Sequence, residues 1–181
     1  MNNTMKLEQQ VTSLELAKRL KELNCPQDSL FYWWGTFNYR PYPQPEQYEE
    51  HEKERAYQDQ DWQVSLKKDI FDEDSRSWKG MYKNTLDIFS AFSVAELGNL
   101  MPKEIEDTNS EGLKRLFFFD TWKCNSGFLW RCAYSYYENM NRANTRIEYL
   151  KGVDGDIGAE AEADCRAKML IWLIEEGYIT Q

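Results

Sequence analysis

The spacing of apolar positions switches between a period near 3.6 and a period of two along this chain, and each switch marks an element. The first helical stretch places Leu16, Leu20 and Leu23, with Ala17, on one stripe and leaves Lys18, Arg19, Lys21 and Glu22 to water. Just before it, Val11-Thr12-Ser13-Leu14-Glu15-Leu16 has the form of a capping box, with Thr12 at the N-cap and Glu15 at N3. Val11 and Leu16 then form a hydrophobic staple. Pro26 closes this helix.

From Phe31 the period drops to two, and FYWWGTFNYRPYPQP carries seven aromatic residues in its first twelve positions. Parity divides them. Phe31, Trp33, Phe37 and Tyr39 share one strand face, expected to be buried, while Tyr32, Trp34 and Arg40 lie on the other. Tyr32, Trp34 and Arg40, together with Tyr42 in the proline-rich exit, are therefore candidate binding residues. Gly35 suggests a bulge or a close backbone approach. A short alternation at Trp62, Val64 and Leu66 predicts another strand.

Phe92-Ser93-Val94-Ala95-Glu96-Leu97 repeats the capping grammar and opens a helix of about two turns, bounded by Pro102. Asp87–Phe92 leads in as strand or helix, and Lys103–Gly112 is expected to be polar loop. Two aromatic runs, Leu116–Cys124 and Phe128–Tyr136, flank Asn125-Ser126-Gly127. A three-residue turn ending in Gly pairs Trp122 with Trp130, Asp120 with Cys132 and Phe118 with Tyr134. Asp120 then sits on an aromatic face, where an unpaired carboxylate is costly; it is a candidate for the polar group of a pocket. The last helix spans about Ala159–Glu176, with Ala163, Ala167, Leu170, Ile171 and Ile174 on one face and Gly177 at the C′ position. The DGDIG segment before it lacks the later ligands of a calcium loop and is expected to be a turn.

These elements predict one α+β domain over residues 1–181: an antiparallel sheet of three or more strands, built from the opening stretch and the hairpin, with the N- and C-terminal helices packed on one face. Composition adds one segment to that picture. Glu46–Arg76 holds eleven Asp or Glu against five Lys or Arg, and its first part, EQYEEHEKERAYQDQ, has almost no apolar face, so a solvated helix or mobile loop is expected there.

The net charge of −9 disfavours direct binding to a phosphate backbone. No apolar run approaches the length of a membrane span, and MNNTMKLEQQ lacks the apolar region of a signal peptide, so a cytoplasmic protein is expected. The four cysteines form no C-x-x-C pair and His51 stands alone, so neither a metal site nor a disulfide is expected. No phosphate-binding glycine loop, HExxH or GxSxG occurs, so no cofactor and no catalytic residue is assigned.

Three segments, SLELAKRLKELNCPQDSLFYW, FSVAELGNLMP and EADCRAKMLIWLIEEGYI, resemble in order and spacing a family of small uncharacterised proteins of bacteriophages, prophages and related mobile elements. The resemblance covers about a third of the chain. It implies a viral or mobile-element setting inside a bacterial host cell and carries no chemistry. With the missing motifs, it gives the expectation of a non-enzymatic accessory protein that binds a host or phage protein, inhibition being one form. One alternative is an acidic mimic of nucleic acid that blocks a nuclease or similar enzyme. The other is a small-ligand module or enzyme with an aromatic pocket around Asp120.

Overall fold

A computed structural model describes residues 6–36, 61–72, 77–78, 88–108, 113–124, 129–137, 147–149 and 157–180. Arg40, Tyr42, His51 and most of the acidic segment 46–76 lie outside these residues. Helix α1 spans Leu14–Glu22, and its N-cap is Ser13 rather than the expected Thr12. Thr12 is buried: its hydroxyl accepts the Phe92 N–H at 3.1 Å, and its own N–H donates to the Phe92 carbonyl at 2.9 Å. The Thr12 hydroxyl is engaged with Phe92, and the helix starts one residue later, from Ser13, which makes no side-chain cap bond. At the other end Asn24 takes a left-handed φ of 61°, and the Cys25 N–H returns to the Leu20 carbonyl at 3.0 Å. That bond terminates α1 ahead of Pro26.

Strands β1 (Phe31–Thr36) and β2 (Asp61–Leu66) pair antiparallel, from Phe31 opposite Leu66 to Thr36 opposite Asp61. The ladder passes through Gly35, which faces Trp62, so the described strand has no bulge there. A one-turn helix α2 (Lys67–Ile70) leads to a small ribbon of β3 (Phe71–Asp72) and β4 (Ser77–Trp78). Strand β5 (Ile88–Ser90) pairs with the far side of β1, which makes β1 the middle strand of a three-stranded sheet.

Helix α3 (Val94–Leu100) does close the capping box its sequence predicts. The Glu96 N–H donates to Ser93 Oγ, and Glu96 Oε2 accepts the Ser93 N–H at 2.7 Å. The second sheet holds β6 (Glu104–Thr108), β7 (Lys114–Lys123), β8 (Trp130–Tyr137), β9 (Ile147–Tyr149) and β10 (Ile157–Ala159). Its order is β10-β8-β7-β6, with β9 also pairing β8, and every pair is antiparallel.

Helix α4 (Glu162–Glu175) is the centre of the packing. Ala163, Cys165, Ala167, Met169, Leu170 and Leu173 are all buried, on more than the one face expected. The helix lies on β8 and β10 and also touches α1 and α3, so neighbours cover it on several sides. Gly177, at φ 78°, ends it as expected, with the Tyr178 N–H bonded to the Leu173 carbonyl at 2.9 Å.

The α+β class and the antiparallel sheets hold, with helices near both ends of the chain. Three expectations change. The opening strand and the hairpin do not share a sheet: β1 pairs with β2 and β5, while β7 and β8 belong to the five-stranded sheet. The expected polar loop at 103–112 contains strand β6, and Ile157–Ala159 is strand β10 rather than turn. Each offers little sequence signal, because a short strand needs only one or two inward side chains, here Ile105 and Ala159.

The hairpin register is also displaced by one residue. Asp120 faces Ala133 and Trp122 faces Arg131. The Cys124 N–H bonds the Leu129 carbonyl at 3.0 Å, so the connection is the four residues 125–128 rather than three. One extra residue flips every partner on β8 to the other face.

Candidate functional site

The residues singled out from the opening stretch are interior ones. Tyr32 is 4% and Trp34 8% exposed, and both pack on Ile70 with Ile88 beside them. The Tyr32 hydroxyl donates to the Gln27 carbonyl at 3.0 Å, and Trp34 Nε1 donates to Ser65 Oγ at 2.9 Å. On the opposite face Trp33 packs with Val11, Ala17 and Phe89, and its Nε1 donates to the Thr12 carbonyl at 2.7 Å. A central strand covered on both faces leaves neither parity class free to form an aromatic platform. Arg40 and Tyr42 lie outside the described residues.

Asp120 lies elsewhere. Residues directly opposite on neighbouring strands share a face. The register therefore puts Glu104 and Glu106 of β6, Leu116, Phe118, Asp120 and Trp122 of β7, and Arg131, Ala133 and Ser135 of β8 on one side of the five-stranded sheet. The other side carries Phe117, Phe119, Cys132 and Tyr134, which pack with the α4 core. Burial drives the Tyr134 phenol upward in pKa, and its hydroxyl donates to the Pro102 carbonyl.

The side away from α4 is unevenly covered. Ala133 and Ser135 are buried, whereas Leu116 is 38% and Phe118 43% exposed. Leu129, bonded to Cys124 at the head of the hairpin, is exposed as well. Leu116 and Phe118 are two residues apart on one strand, so this exposed apolar pair spans roughly 7 Å, and the half-buried Asp120 and Trp122 continue the same face. A single apolar residue on a surface needs no explanation; two side by side on one strand face make a small apolar patch.

The charged groups on this face are Glu104, Glu106 and Asp120 against Lys114 and Arg131, a small acidic excess. Glu104 and Glu106 lie along β6, and Asp120 stands between Phe118 and Trp122. Asp120 is half-buried and has a partner, and Ala133 stands opposite it. Asp120 lies on the partly covered side of the five-stranded sheet away from α4. Lys114 reaches Glu106 in a fully exposed ion pair, and that carboxylate holds the ammonium above its ordinary pKa range. Such exposed pairs add little stability.

A second concavity, of about 440 Å³, lies between α1 and α4 over Leu16, Ile171 and Trp172. Its walls carry balanced charges, and Arg19 spans the two helices to Glu175 at 2.7 Å while also holding Glu22 at 2.9 Å. Lys18 lies over the Trp62 ring and Lys168 Nζ donates to the Gly158 carbonyl, so the basic groups of this wall are engaged, whereas the sheet face carries exposed large apolar side chains.

Among the described residues no cluster of three or more His, Cys, Asp or Glu side chains is arranged to hold a metal, and no helix is long and apolar enough to cross a membrane. Sequence reasoning found Asp120 but missed the exposed Leu116 and Phe118 and the flanking Glu104 and Glu106. The signal for them was the hairpin loop length, which decides the face on which the even positions of β7 lie. No family model, curated protein or solved structure matches this chain.

Proposed function

We propose that this chain is a non-enzymatic binding protein that docks a partner protein on the sheet face bearing Leu116 and Phe118. The observation that carries the reading is the exposed apolar pair Leu116 and Phe118 on β7 beside the carboxylates of Glu104, Glu106 and Asp120, of which Glu106 also holds Lys114. The chemistry calls for a partner with an apolar ridge flanked by Lys or Arg. Opposite charges at the rim steer the encounter, and burial of the apolar pair supplies the affinity. The net charge of −9 acts in the same direction. The phage or mobile-element setting, with a host protein as target, rests on the resemblance of the three sequence segments alone.

The test is affinity capture from bacterial lysate with the wild-type chain, Phe118→Glu, and Lys68→Ser as a control on exposed α2. Docking on the sheet face predicts one stoichiometric protein held by wild type and by Lys68→Ser and lost with Phe118→Glu. A partner retained equally by Phe118→Glu would refute this location.

A further inference from the structure

Two buried thiols meet where α4 crosses the five-stranded sheet. Cys132 is on β8, opposite Ile157 of β10 and Thr121 of β7, and Cys165 is in the first turn of α4. Both are 0% exposed. Their sulfurs are 3.2 Å apart, inside van der Waals contact. Each thiol is also oriented by a carbonyl: Cys132 Sγ donates to the Cys165 carbonyl at 3.2 Å, and Cys165 Sγ lies 3.1 Å from the Ile157 carbonyl. The pair is thus fixed by the packing of three elements and not by rotation of two loose side chains.

We infer that Cys132 and Cys165 are a disulfide-forming pair that can staple α4 to the central strands of the sheet. Closure from 3.2 Å to the bonded distance asks for only about 1.2 Å of approach. Helix and strand can share that movement. The other two thiols are placed differently. Cys25 follows the end of α1, and Cys124 stands at the head of the hairpin on the face away from α4.

The chemistry balances with a small-molecule disulfide as oxidant. The thiolate of Cys165 attacks one sulfur of that disulfide and expels a thiolate, forming a mixed disulfide. The thiolate of Cys132 then attacks Cys165 Sγ and expels the second thiol. Two protein thiols lose two protons and two electrons, and the oxidant is reduced to two thiols. With α4 docked, contact with Cys132 draws the Cys165 thiol below its ordinary pKa, against the opposing pull of burial. Because both sulfurs are fully buried, the first step takes place before α4 docks or while it is lifted. Once formed, the bond is shielded from reductants by the same packing.

The bond would close a loop of 34 residues, from Cys132 to Cys165. The loss of chain entropy in the unfolded state corresponds to a rise in Tm of roughly 8–15 °C for a chain of this size.

The experiment is refolding of the full chain from denaturant in a buffer of reduced and oxidised glutathione, followed by mass spectrometry, peptide mapping and thermal melting. The expected product is about 2 Da lighter, contains a Cys132–Cys165 linked peptide and melts higher than the reduced chain. Cys25→Ala/Cys124→Ser, which leaves the pair intact, should behave as wild type. Cys165→Ala should show neither the mass loss nor the rise in Tm. If Cys165→Ala fails to fold, the double variant alone decides. The inference is overturned if glutathione adducts form without the internal link, if the links join other cysteines, or if the Cys132–Cys165 link leaves Tm unchanged or lower.

Discussion

Glu96 joins the two halves of the packing through one carboxylate, and its removal should be expensive. Oε1 accepts the Ser29 hydroxyl at 2.9 Å and the Leu30 N–H at 2.8 Å. Oε2 accepts the Ser93 N–H and the Ser93 hydroxyl, each at 2.7 Å. The side chain therefore caps α3 and also fixes the entry to β1. In Glu96→Ala the Leu30 N–H, at an exposed residue, turns to water. The Ser29 hydroxyl, on a residue 4% exposed, exchanges a charged acceptor for the Ala91 carbonyl at 3.3 Å, and the part-buried Ser93 N–H loses its charged acceptor. At about 1 kcal/mol for the exchange and about 1–2 kcal/mol for the lost bond, the loss is about 2–3 kcal/mol, or a drop in Tm of roughly 4–12 °C. Glu96→Gln keeps the shape but turns an NH₂ group toward one of the two donor pairs, and should lose about half as much. Urea denaturation of both variants, with an unchanged m-value, measures this directly. A loss below about 0.5 kcal/mol in Glu96→Ala, or a Gln variant as stable as wild type, would refute the role given to the carboxylate. Combining Glu96→Ala with Ser29→Ala should give less than the sum of the two, because they share a hydrogen bond.

Other outcomes follow from the same contacts. Thr12→Val keeps the volume but leaves the buried Phe92 N–H without its acceptor, and should cost about 1–3 kcal/mol in urea denaturation. Burial pushes the Cys25 thiol up to about 11 from its ordinary 9.0. The folded chain then keeps a proton that the unfolded chain releases. The stabilisation is complete below about pH 9 and is lost, to the extent of about 2–3 kcal/mol, as pH rises through 11. Cys25→Ala should accordingly flatten the fall in stability between these pH values, as followed by melting across the range. Phe118→Glu, at a position 43% exposed but directly opposite Glu104, should cost about 1 kcal/mol of folding stability, which urea denaturation measures; loss of binding by a chain that is still folded reports the surface and not the fold.

What could be read from the sequence was what is local. The Ser93–Glu96 box and the cap at Gly177 each depend on residues within one or two turns, and each formed as expected, whereas α4 buries more than its expected stripe. The alternating runs at Phe31, Trp62 and Leu116 became strands for the same reason. What the pattern lacked was the identity of the partner. Two aromatic strands look alike whether they pair with each other or belong to separate sheets, and β1 took β2 and β5 instead of the hairpin. Thr12 and Ser13 are equivalent caps on paper, and only the arrival of Phe92, 80 residues later, decides between them. The site turned on a still finer detail. Phe118, Asp120 and Trp122 share a face in any register, but one loop residue settled whether that face met Tyr134 and the core or Ala133 and the partly covered side. Strand β6 was invisible because only Ile105 of its five residues is buried.

Docking on the Leu116–Phe118 face is tested most directly by the dissociation constant of the captured partner for wild type and for Phe118→Glu, measured at matched salt by titration calorimetry. A charge placed on the docked apolar patch should weaken binding at least tenfold, about 1.4 kcal/mol or more, while both chains remain folded at the assay temperature. Equal dissociation constants for two folded chains would contradict it and place the partner elsewhere on the molecule.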